Sequence, residues 1–262
     1  MLIYQATYPR CGAAFLRDLI SINFGYLSGN GYESDHTFPE KWNVAPLEGE
    51  PDLQTYRRPG SDERQLLLRH GALKALTPEL RQRLAADPRP LFVKTHELPP
   101  ETPFPGEVAL QFVRHPGPTI VSYWRLMNVK KPIALDDVIE GRTMFGSWTG
   151  YHDAWEQAPM PVMRLRYEDV LADQDAAINA IAGFLGLRAP ARIRHMPMAA
   201  ATSRNPSRNP GEGLDGWRRR TTAAQRQEIW RRHGSLAYRY GYTPFPGASS
   251  VKRNVRLATA TR

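Results

Sequence analysis

Apolar and polar positions follow two different periods along the chain, which predicts short strands separated by helices. Compact apolar runs bounded by Pro, Gly or charged residues predict strands over residues 2–8, 91–95, 108–113 and 162–165. Apolar residues at helical spacing predict helices over residues 13–27, 63–86, 119–127, 147–157 and 171–187. A last helix is predicted to begin after Thr222, because Gln225 three positions later completes a capping box.

This alternation favours an α/β fold with a central, mostly parallel sheet flanked by helices. No internal repeat and no shift of composition divides the 262 residues, so we expect one domain over residues 1–245. Residues 246–262 are expected to form a flexible tail. Residues 28–62 and 195–216 are rich in Gly, Pro and Asn and are expected to be irregular.

Charge adds a first functional indication. The chain carries 35 Lys and Arg against 26 Asp and Glu, a net charge of +9, and 29 of the 35 basic residues are Arg. The planar Arg fork suits phosphate and sulfate oxygens, so an anionic partner is indicated: a nucleic acid, a membrane surface or a small molecule. An Arg-rich and Ala-rich composition also arises from nucleotide bias in a genome, and that explanation stays open.

Cysteine content and hydropathy indicate the compartment. One cysteine excludes an internal disulfide framework and indicates a reducing compartment. No stretch approaches the roughly 18 apolar residues that a membrane span needs, and the first ten residues lack the features of a signal peptide. We therefore expect a cytoplasmic protein without a membrane span.

The turn from the first predicted strand into the first helix, Tyr8–Phe15, is the first candidate site. Backbone N–H groups at a helix N-terminus attract anions, Gly12 allows a close approach, and Arg10 adds a charged fork. A plain connection between strand and helix is the alternative. The chain lacks the Gly-Lys-Ser/Thr sequence of nucleoside-triphosphate loops, which argues against a nucleotide kinase of related fold.

Two later strands end in further candidates. Lys94 and His96 are two positions apart and share one face of a strand end, where a neutral His beside a cation suits a general base. Arg114 closes the next strand, and Ser122 follows eight residues later in the next helix. Together these two side chains suit one phosphate group. Taken singly, a loop-satisfied His, a surface Arg and a helical Ser are the ordinary explanations.

In this order the three candidates resemble the sulfotransferases that use 3′-phosphoadenosine 5′-phosphosulfate (PAPS). In that family a Tyr-Pro-Lys-Ser-Gly-Thr-Thr-Trp loop binds the 5′-phosphosulfate, a Lys-Thr-His strand end supplies the base, and an Arg with a later Ser binds the 3′-phosphate. Tyr8–Phe15, Lys94-Thr95-His96 and Arg114 with Ser122 are similar to these motifs. Tyr167, in a Tyr-Glu-Asp segment, is similar to the Tyr that packs by the adenine.

The resemblance implies a sulfotransferase fold related to the P-loop kinases, PAPS as sulfuryl donor, no metal, and an unidentified hydroxyl acceptor. It implies a general base at His96 and charge stabilisation by Lys94 and Arg10. The residues that it implies for binding the donor are Arg10, Cys11, Gly12, Ala13, Ala14, Phe15, Arg114, Ser122, Tyr167, Arg208 and Gly211. The last two are the nearest counterparts of the family's late Arg-Lys-Gly element, at shifted spacing.

Several positions depart from the family pattern. Arg10 stands where many members have Lys, and Phe15 replaces a Trp that stacks near the adenine. Cys11, Ala13 and Ala14 replace hydroxyl residues, each of which donates a hydrogen bond worth about 1.5–3 kcal/mol to a charged group.

These departures leave alternatives open. Lost hydroxyls suit a catalytically weak PAPS-binding protein. The basic charge suits a nucleic-acid-binding protein, although no recognition motif for nucleic acid is present.

The acceptor is not identified by any motif, and neither is the oligomeric state. Residues 28–62 and 128–160 are expected to shape the acceptor pocket. The aromatic residues available there either stack on a ring or sugar or belong to the core; they are Trp42, Tyr56, Trp148, Tyr151 and Trp155.

Overall fold

A sheet of five parallel strands forms the centre of the protein in this computed structural model, which describes residues 1–29, 43–57, 64–68, 76–196 and 215–244. The strands lie in the order β2-β6-β1-β7-β8, so the first strand of the chain is the central one. All four strand pairs are parallel. The sheet consists of β1 (Leu2–Thr7), β2 (Ser28–Gly29), β6 (Leu91–Thr95), β7 (Glu107–Val113) and β8 (Val162–Arg166).

Helices cover both faces of this sheet. They are α1 (Ala13–Phe24), α2 (Pro78–Ala86), α3 (Pro116–Lys130), α4 (Leu135–Ile139), α5 (Trp148–Glu156), α6 (Tyr167–Ala172), α7 (Gln174–Leu185) and α8 (Ala223–Arg239), with a short 3-10 helix at Gly216–Arg220. One apolar layer contains residues of α3, α5 and α8, and the other contains residues of α1 and α7. Alternate side chains of β1 enter opposite layers, since Leu2 and Tyr4 join the first and Ile3 joins the second. The predicted α/β fold is confirmed.

The capping residues explain where several helices begin. The Thr222 side chain accepts a hydrogen bond from the Gln225 N–H, and the Gln225 side chain bonds back to Thr222, so the predicted capping box is present at α8. Ser147 caps α5 with a single bond, because its side chain accepts from the Gly150 N–H. Asp173 ends α6 and caps α7, which divides the single helix predicted over 171–187 into two.

A second, antiparallel sheet was not predicted. It consists of β3 (Asn43–Leu47), β4 (Glu50–Arg57) and β5 (Arg64–Leu68). The irregular segment predicted over 28–62 and the helix predicted from residue 63 are therefore wrong at these strands. A short apolar run such as Leu66–Leu68 does not distinguish a strand from a helix, and here the pairing with β4 decides. Gly49, at φ 74°, occupies the turn between β3 and β4.

Some predicted features lie outside the described residues, namely most of the segment 195–216, Trp42 and the tail 246–262. Over the described ranges, no helix is long and apolar enough to cross a membrane.

Candidate active site

The three sequence candidates lie at the carboxyl ends of the three central strands. Arg10 follows β1, His96 follows β6, and Arg114 follows β7, and these strands are neighbours in the sheet. Parallel strands place their carboxyl ends at one edge, where ligands of open α/β sheets bind. The fold therefore brings the candidates to one edge although they are up to 104 residues apart.

The turn between β1 and α1 is strained and presents backbone N–H groups. Arg10 has φ 70° and is the non-glycine residue with positive φ among the described residues, a conformation that costs of order 1 kcal/mol. Gly12, at φ 101°, is the N-cap of α1 and provides no side-chain hydrogen bond. The first N–H groups of α1, at Ala13, Ala14 and Phe15, have no partner within the helix and carry its positive dipole end. This is the geometry of an anion cradle.

Gly12 is required by close packing as well as by its φ angle. A Cβ at this position would lie 2.7 Å from Cδ2 of Tyr167 and 3.0 Å from Cε1 of Phe112. Tyr167 therefore rests directly on the cradle. The Tyr167 ring also contacts Phe15 edge-on, with ring centroids 5.8 Å apart. Burial raises the pKa of Tyr167, so its hydroxyl stays protonated at neutral pH.

Arg10, Arg114 and Ser122 form one cluster beside this cradle. Arg10 Nε donates a 3.0 Å hydrogen bond to Ser122 Oγ, and Arg114 Nη1 lies 3.4 Å from the Arg10 carbonyl oxygen. The Arg114 guanidinium lies 4.7 Å from the centroid of the Tyr167 ring. The buried Arg114 Nε has no hydrogen-bond partner among the described residues. The resemblance assigned Arg10 and Ser122 to opposite ends of a nucleotide, whereas the structure brings them into contact.

His96 is oriented by the neighbouring strand. Its Nδ1 lies 2.5 Å from the Thr7 carbonyl oxygen and 3.2 Å from Thr7 Oγ1. A carbonyl oxygen only accepts, so Nδ1 carries the proton and Nε2 is the basic nitrogen of the neutral ring. Lys94, two residues earlier on β6, is 5% exposed and lies in register with Gln5 of β1. The structure thus holds the predicted cation and the predicted base on one strand end, with the base in a fixed tautomer.

Cys11 lies beneath the cradle and its thiol does not face it. The side chain is fully buried, with Sγ 3.9 Å from Thr119 Oγ1 and 3.7 Å from His152 Nε2. Burial raises the pKa of the Cys11 thiol to about 12, so it is not a thiolate nucleophile at neutral pH. Its N–H donates to the Tyr8 carbonyl and closes the turn.

A cavity of about 650 Å³ opens beside His96. We call it the His96 pocket; it is lined by residues 96–98, 144–147, 150 and 151. The Phe145 ring contacts the His96 ring edge-on at 5.5 Å. Leu98 and Met144 are exposed at 57% and 73%, which places exposed apolar surface on the wall of this pocket.

The aromatic residues expected near an acceptor divide between the core and the pocket. Trp148 and Trp155 are fully buried, and their indole N–H groups donate to the carbonyls of Arg114 and Glu97. These two residues therefore belong to the core. Tyr151 is buried but lines the His96 pocket, and its hydroxyl donates to the Thr95 carbonyl.

A buried clamp behind Arg114 and Tyr167 was missed by the sequence analysis. His115 follows Arg114, and Glu168 follows Tyr167; the His115 N–H donates to Glu168 Oε1 at 3.1 Å. The Tyr242 hydroxyl donates to Glu168 Oε2 at 2.8 Å. The sequence held one signal for two of these residues, since His115 and Glu168 each directly follow a residue that was singled out for binding, whereas no such signal marks Tyr242.

Two candidates remain outside this geometry. Arg208 and Gly211 lie outside the described residues. Over the described part of the chain, no group of three or more His, Cys, Asp or Glu side chains is arranged to hold a metal ion.

Comparisons with known proteins agree with the motifs and the fold. A family model described as a sulfotransferase domain matches residues 3–232. Mouse sulfotransferase SULT7A1, solved as a complex with PAP, is 15% identical with a TM-score of 0.53, over 92% of this chain and 87% of that one. Retinol dehydratase, solved with androsterone and the inactive cofactor PAP, is 17% identical with a TM-score of 0.47, over 90% and 80%. No curated protein sequence matches the chain. The family match confirms the resemblance drawn from the motifs.

Proposed function

Because the chain belongs to the sulfotransferase domain family, we propose that it transfers the sulfuryl group of PAPS to a hydroxyl group of a small-molecule, carbohydrate or lipid acceptor. The observation that carries this proposal is the bond from His96 Nδ1 to the Thr7 carbonyl. It places the proton of the neutral ring on Nδ1 and leaves Nε2 as the basic nitrogen. The ring lies beside a pocket, at the sheet edge that also holds Lys94, Arg10 and Arg114.

The residues at this edge fit the charges of PAPS. The first turn of α1 provides N–H groups for the 5′-phosphate, and Gly12 leaves room for the backbone to approach it. Among the described residues, the buried Nε of Arg114 has no hydrogen-bond partner, which suits a phosphate oxygen. We assign Arg114 and Ser122 to the 3′-phosphate, with Arg10 joining them through its bond to Ser122. The solved relative SULT7A1 was crystallised with PAP, the desulfonated form of this donor.

His96 acts as the general base in this proposal. Nε2 takes the proton of the acceptor hydroxyl while the hydroxyl oxygen forms a bond to sulfur, and the bond from sulfur to the 5′-phosphate oxygen breaks. The products are a sulfate ester and PAP. Lys94 stabilises negative charge that develops on the transferred group and the bridging oxygen, as cationic side chains do in phosphoryl transfer.

A catalytically weak PAPS-binding protein is the second candidate. The loop lacks the hydroxyls at positions 11, 13 and 14, and the Cys11 side chain is buried away from the cradle. Binding then depends on backbone N–H groups and on the Arg residues. This candidate predicts affinity for PAP without measurable transfer.

The test measures transfer of ³⁵S from PAPS to a metabolite extract and to an acceptor panel, together with PAP binding by calorimetry. His96→Ala is expected to lower turnover about 10²–10⁴-fold and to leave the affinity for PAP unchanged. His195→Ala is the matched control, because His195 is an exposed surface residue paired with Asp175.

Each result separates the candidates. Near-normal turnover of His96→Ala would refute the base assignment. PAP binding without transfer across the panel would favour the weak binder. A protein that does not bind PAP would refute the donor assignment itself.

A further inference from the structure

One wall of the His96 pocket belongs to a single loop. Residues 140–147 join α4 to α5, and we call this segment the 140–147 loop. Four of its residues, 144–147, line the pocket, and the Phe145 ring contacts the His96 ring edge-on at 5.5 Å. The position of this loop therefore sets the shape of the pocket and the surroundings of the base.

The 140–147 loop is compact, and its two ends lie against each other. A Cβ at Gly141 would lie 2.6 Å from the Cβ of Ser147. The Gly146 N–H donates to the Thr143 carbonyl at 3.0 Å, and the Gly146 carbonyl accepts from the Thr143 hydroxyl at 3.2 Å and from the Tyr8 hydroxyl at 3.0 Å. Loops with adjoining ends pack on themselves. The position of this one therefore depends on the Tyr8 bond and on the residues that hold its ends.

A buried side chain of α8 holds both ends of the loop. His233 is 2% exposed. Its Nε2 lies 3.0 Å from the carbonyl oxygen of Ile139, the last residue of α4. Its Nδ1 lies 2.8 Å from Oγ1 of Thr149, which belongs to the first turn of α5. One imidazole thus joins the residue before the loop to the helix that follows it.

The hydrogen-bonding roles of the two His233 nitrogens follow from their partners. A carbonyl oxygen only accepts, so Nε2 carries a proton and donates to Ile139. Burial lowers the pKa of His233 to about 4, so the ring is neutral at pH 7 and Nδ1 accepts from the Thr149 hydroxyl. Both ring nitrogens are thereby used within the fold.

We propose that His233 is a positioning residue of the sulfuryl transfer, because its bonds to Ile139 and Thr149 hold the 140–147 loop against His96. The inference rests on the proposed function, since the base and the pocket that it positions are those of that reaction. Loss of the Thr149 bond releases the α5 end of the loop, and Phe145 then moves away from His96. The donor cradle belongs to the turn between β1 and α1, so PAP binding should not depend on this bond.

The bond from Thr149 is tested by two matched variants, Thr149→Val, which removes the hydroxyl at nearly constant volume, and Thr149→Ser, which keeps it. Two rates are measured by mass spectrometry, with and without PAP: amide hydrogen exchange of residues 141–147 and modification of His96 by diethyl pyrocarbonate. Thr149→Val should raise both rates about three- to tenfold, the effect of losing one hydrogen bond, and Thr149→Ser should leave both near the wild-type values. The exposed His195 is the internal reference for the reagent.

Kinetics separate positioning from a loss of stability. Thr149→Val is expected to raise KM for the probe acceptor 4-nitrophenol about three- to tenfold, because fewer molecules have the pocket formed, and to leave the Kd for PAP unchanged. Thr77→Ala is the stability control: it removes the side-chain N-cap of α2 and should lower the free energy of unfolding without changing KM or either labelling rate.

The outcomes distinguish this inference from the proposed function. Wild-type labelling rates in Thr149→Val, or rates raised as much in Thr149→Ser or Thr77→Ala, overturn the role of His233. Raised labelling with an unchanged KM restricts the bond to stability and overturns its part in the reaction. If 4-nitrophenol is not sulfated, the labelling rates decide alone, because they need no acceptor. Absence of PAP binding in the wild type overturns the proposed function instead.

Discussion

The parallel sheet carries a charged cluster towards each end, and the charges of the two clusters are compensated differently. Towards the amino ends of β1 and β7, Arg81 and Glu107 form a bidentate pair, with Nη2–Oε2 at 2.7 Å and Nε–Oε1 at 2.9 Å. The Tyr4 hydroxyl donates to Glu107 Oε1 at 2.6 Å, and the Phe104 N–H donates to Oε2 at 3.0 Å. Each carboxylate oxygen of Glu107 therefore accepts two hydrogen bonds.

Towards the carboxyl ends of the strands, the charge of Arg114 is compensated in another way. Arg114 has no carboxylate partner among the described residues; its guanidinium contacts the Arg10 carbonyl and the Tyr167 ring, and its Nε is unpartnered. A partly buried cation with a buried, unsatisfied N–H reduces stability, and an anionic ligand would supply the missing acceptor. The difference supports the proposal that the Arg81–Glu107 cluster stabilises the fold and that the cluster around Arg114 binds an anionic ligand.

Removing the charge of Glu107 should have the largest effect on this comparison. Glu107→Gln leaves the Arg81 side chain, which is 12% exposed, without its buried counter-ion. The substitution is expected to lower the free energy of unfolding by about 3–5 kcal/mol, as measured by urea denaturation. The folded fraction should bind PAP with unchanged affinity, because Glu107 lies at the other end of the sheet. Glu228→Gln, on the surface of α8, is the matched control and should change stability little.

Removing the charge of Arg114 should weaken PAP binding and leave the free energy of unfolding unchanged, the reverse of the effect expected for Glu107→Gln. Arg114→Gln is expected to weaken PAP binding about 10- to 150-fold, which corresponds to a lost charged hydrogen bond of about 1.5–3 kcal/mol, without lowering the free energy of unfolding. Binding of adenosine 5′-phosphate should change little if Arg114 serves the 3′-phosphate. Arg188→Gln removes one exposed positive charge and controls for the overall field of the protein. Equal loss of PAP affinity in the Glu107 and Arg114 variants would contradict the comparison.

The smallest expected effect concerns pH. His115 beside Arg114 donates from Nε2 to the Thr243 carbonyl and accepts from the Gly117 N–H, and burial lowers its pKa to about 4. The unfolded residue has a pKa near 6.5, so the unfolded state binds more protons between these values and stability falls as pH falls through 6.5 towards 4. Between pH 7 and pH 5 we expect a loss of about 2 kcal/mol from this residue. His115→Gln should flatten the pH profile of the unfolding free energy by that amount; an unchanged profile would refute the assignment.

The sequence predicted those parts of the site that depend on single elements. An apolar run shows where a strand ends, so the polar residues that follow it can be identified in the sequence, as Arg10, His96 and Arg114 were. Because parallel strands end at one edge of the sheet, these residues were expected to lie near each other. The carbonyl that orients His96 belongs to Thr7, 89 residues away, and no local pattern indicates that contact. The bond between Arg10 and Ser122 depends in the same way on the relative placement of the turn after β1 and of α3.

The two sheets also differ in how far the sequence predicts them. Long alternation of strands and helices predicted the parallel sheet, because its central strands β1, β6 and β7 are buried on both faces and their apolar runs are nearly continuous. The two-residue edge strand β2 has no apolar run and was not predicted. The antiparallel strands β3, β4 and β5 contain Pro or charged residues and lack a long apolar run, so only their mutual pairing identifies them.

The sequence alone determined the fold class, the family and the strand ends that carry the chemistry, because periodicity and motif spacing are local properties of the chain. Tertiary structure decided which nitrogen of His96 is basic, which charges are paired and which residues line its pocket. The physical reason is range: hydrogen bonds and charge pairing act over a few ångströms in space, between residues that the chain separates by tens of positions.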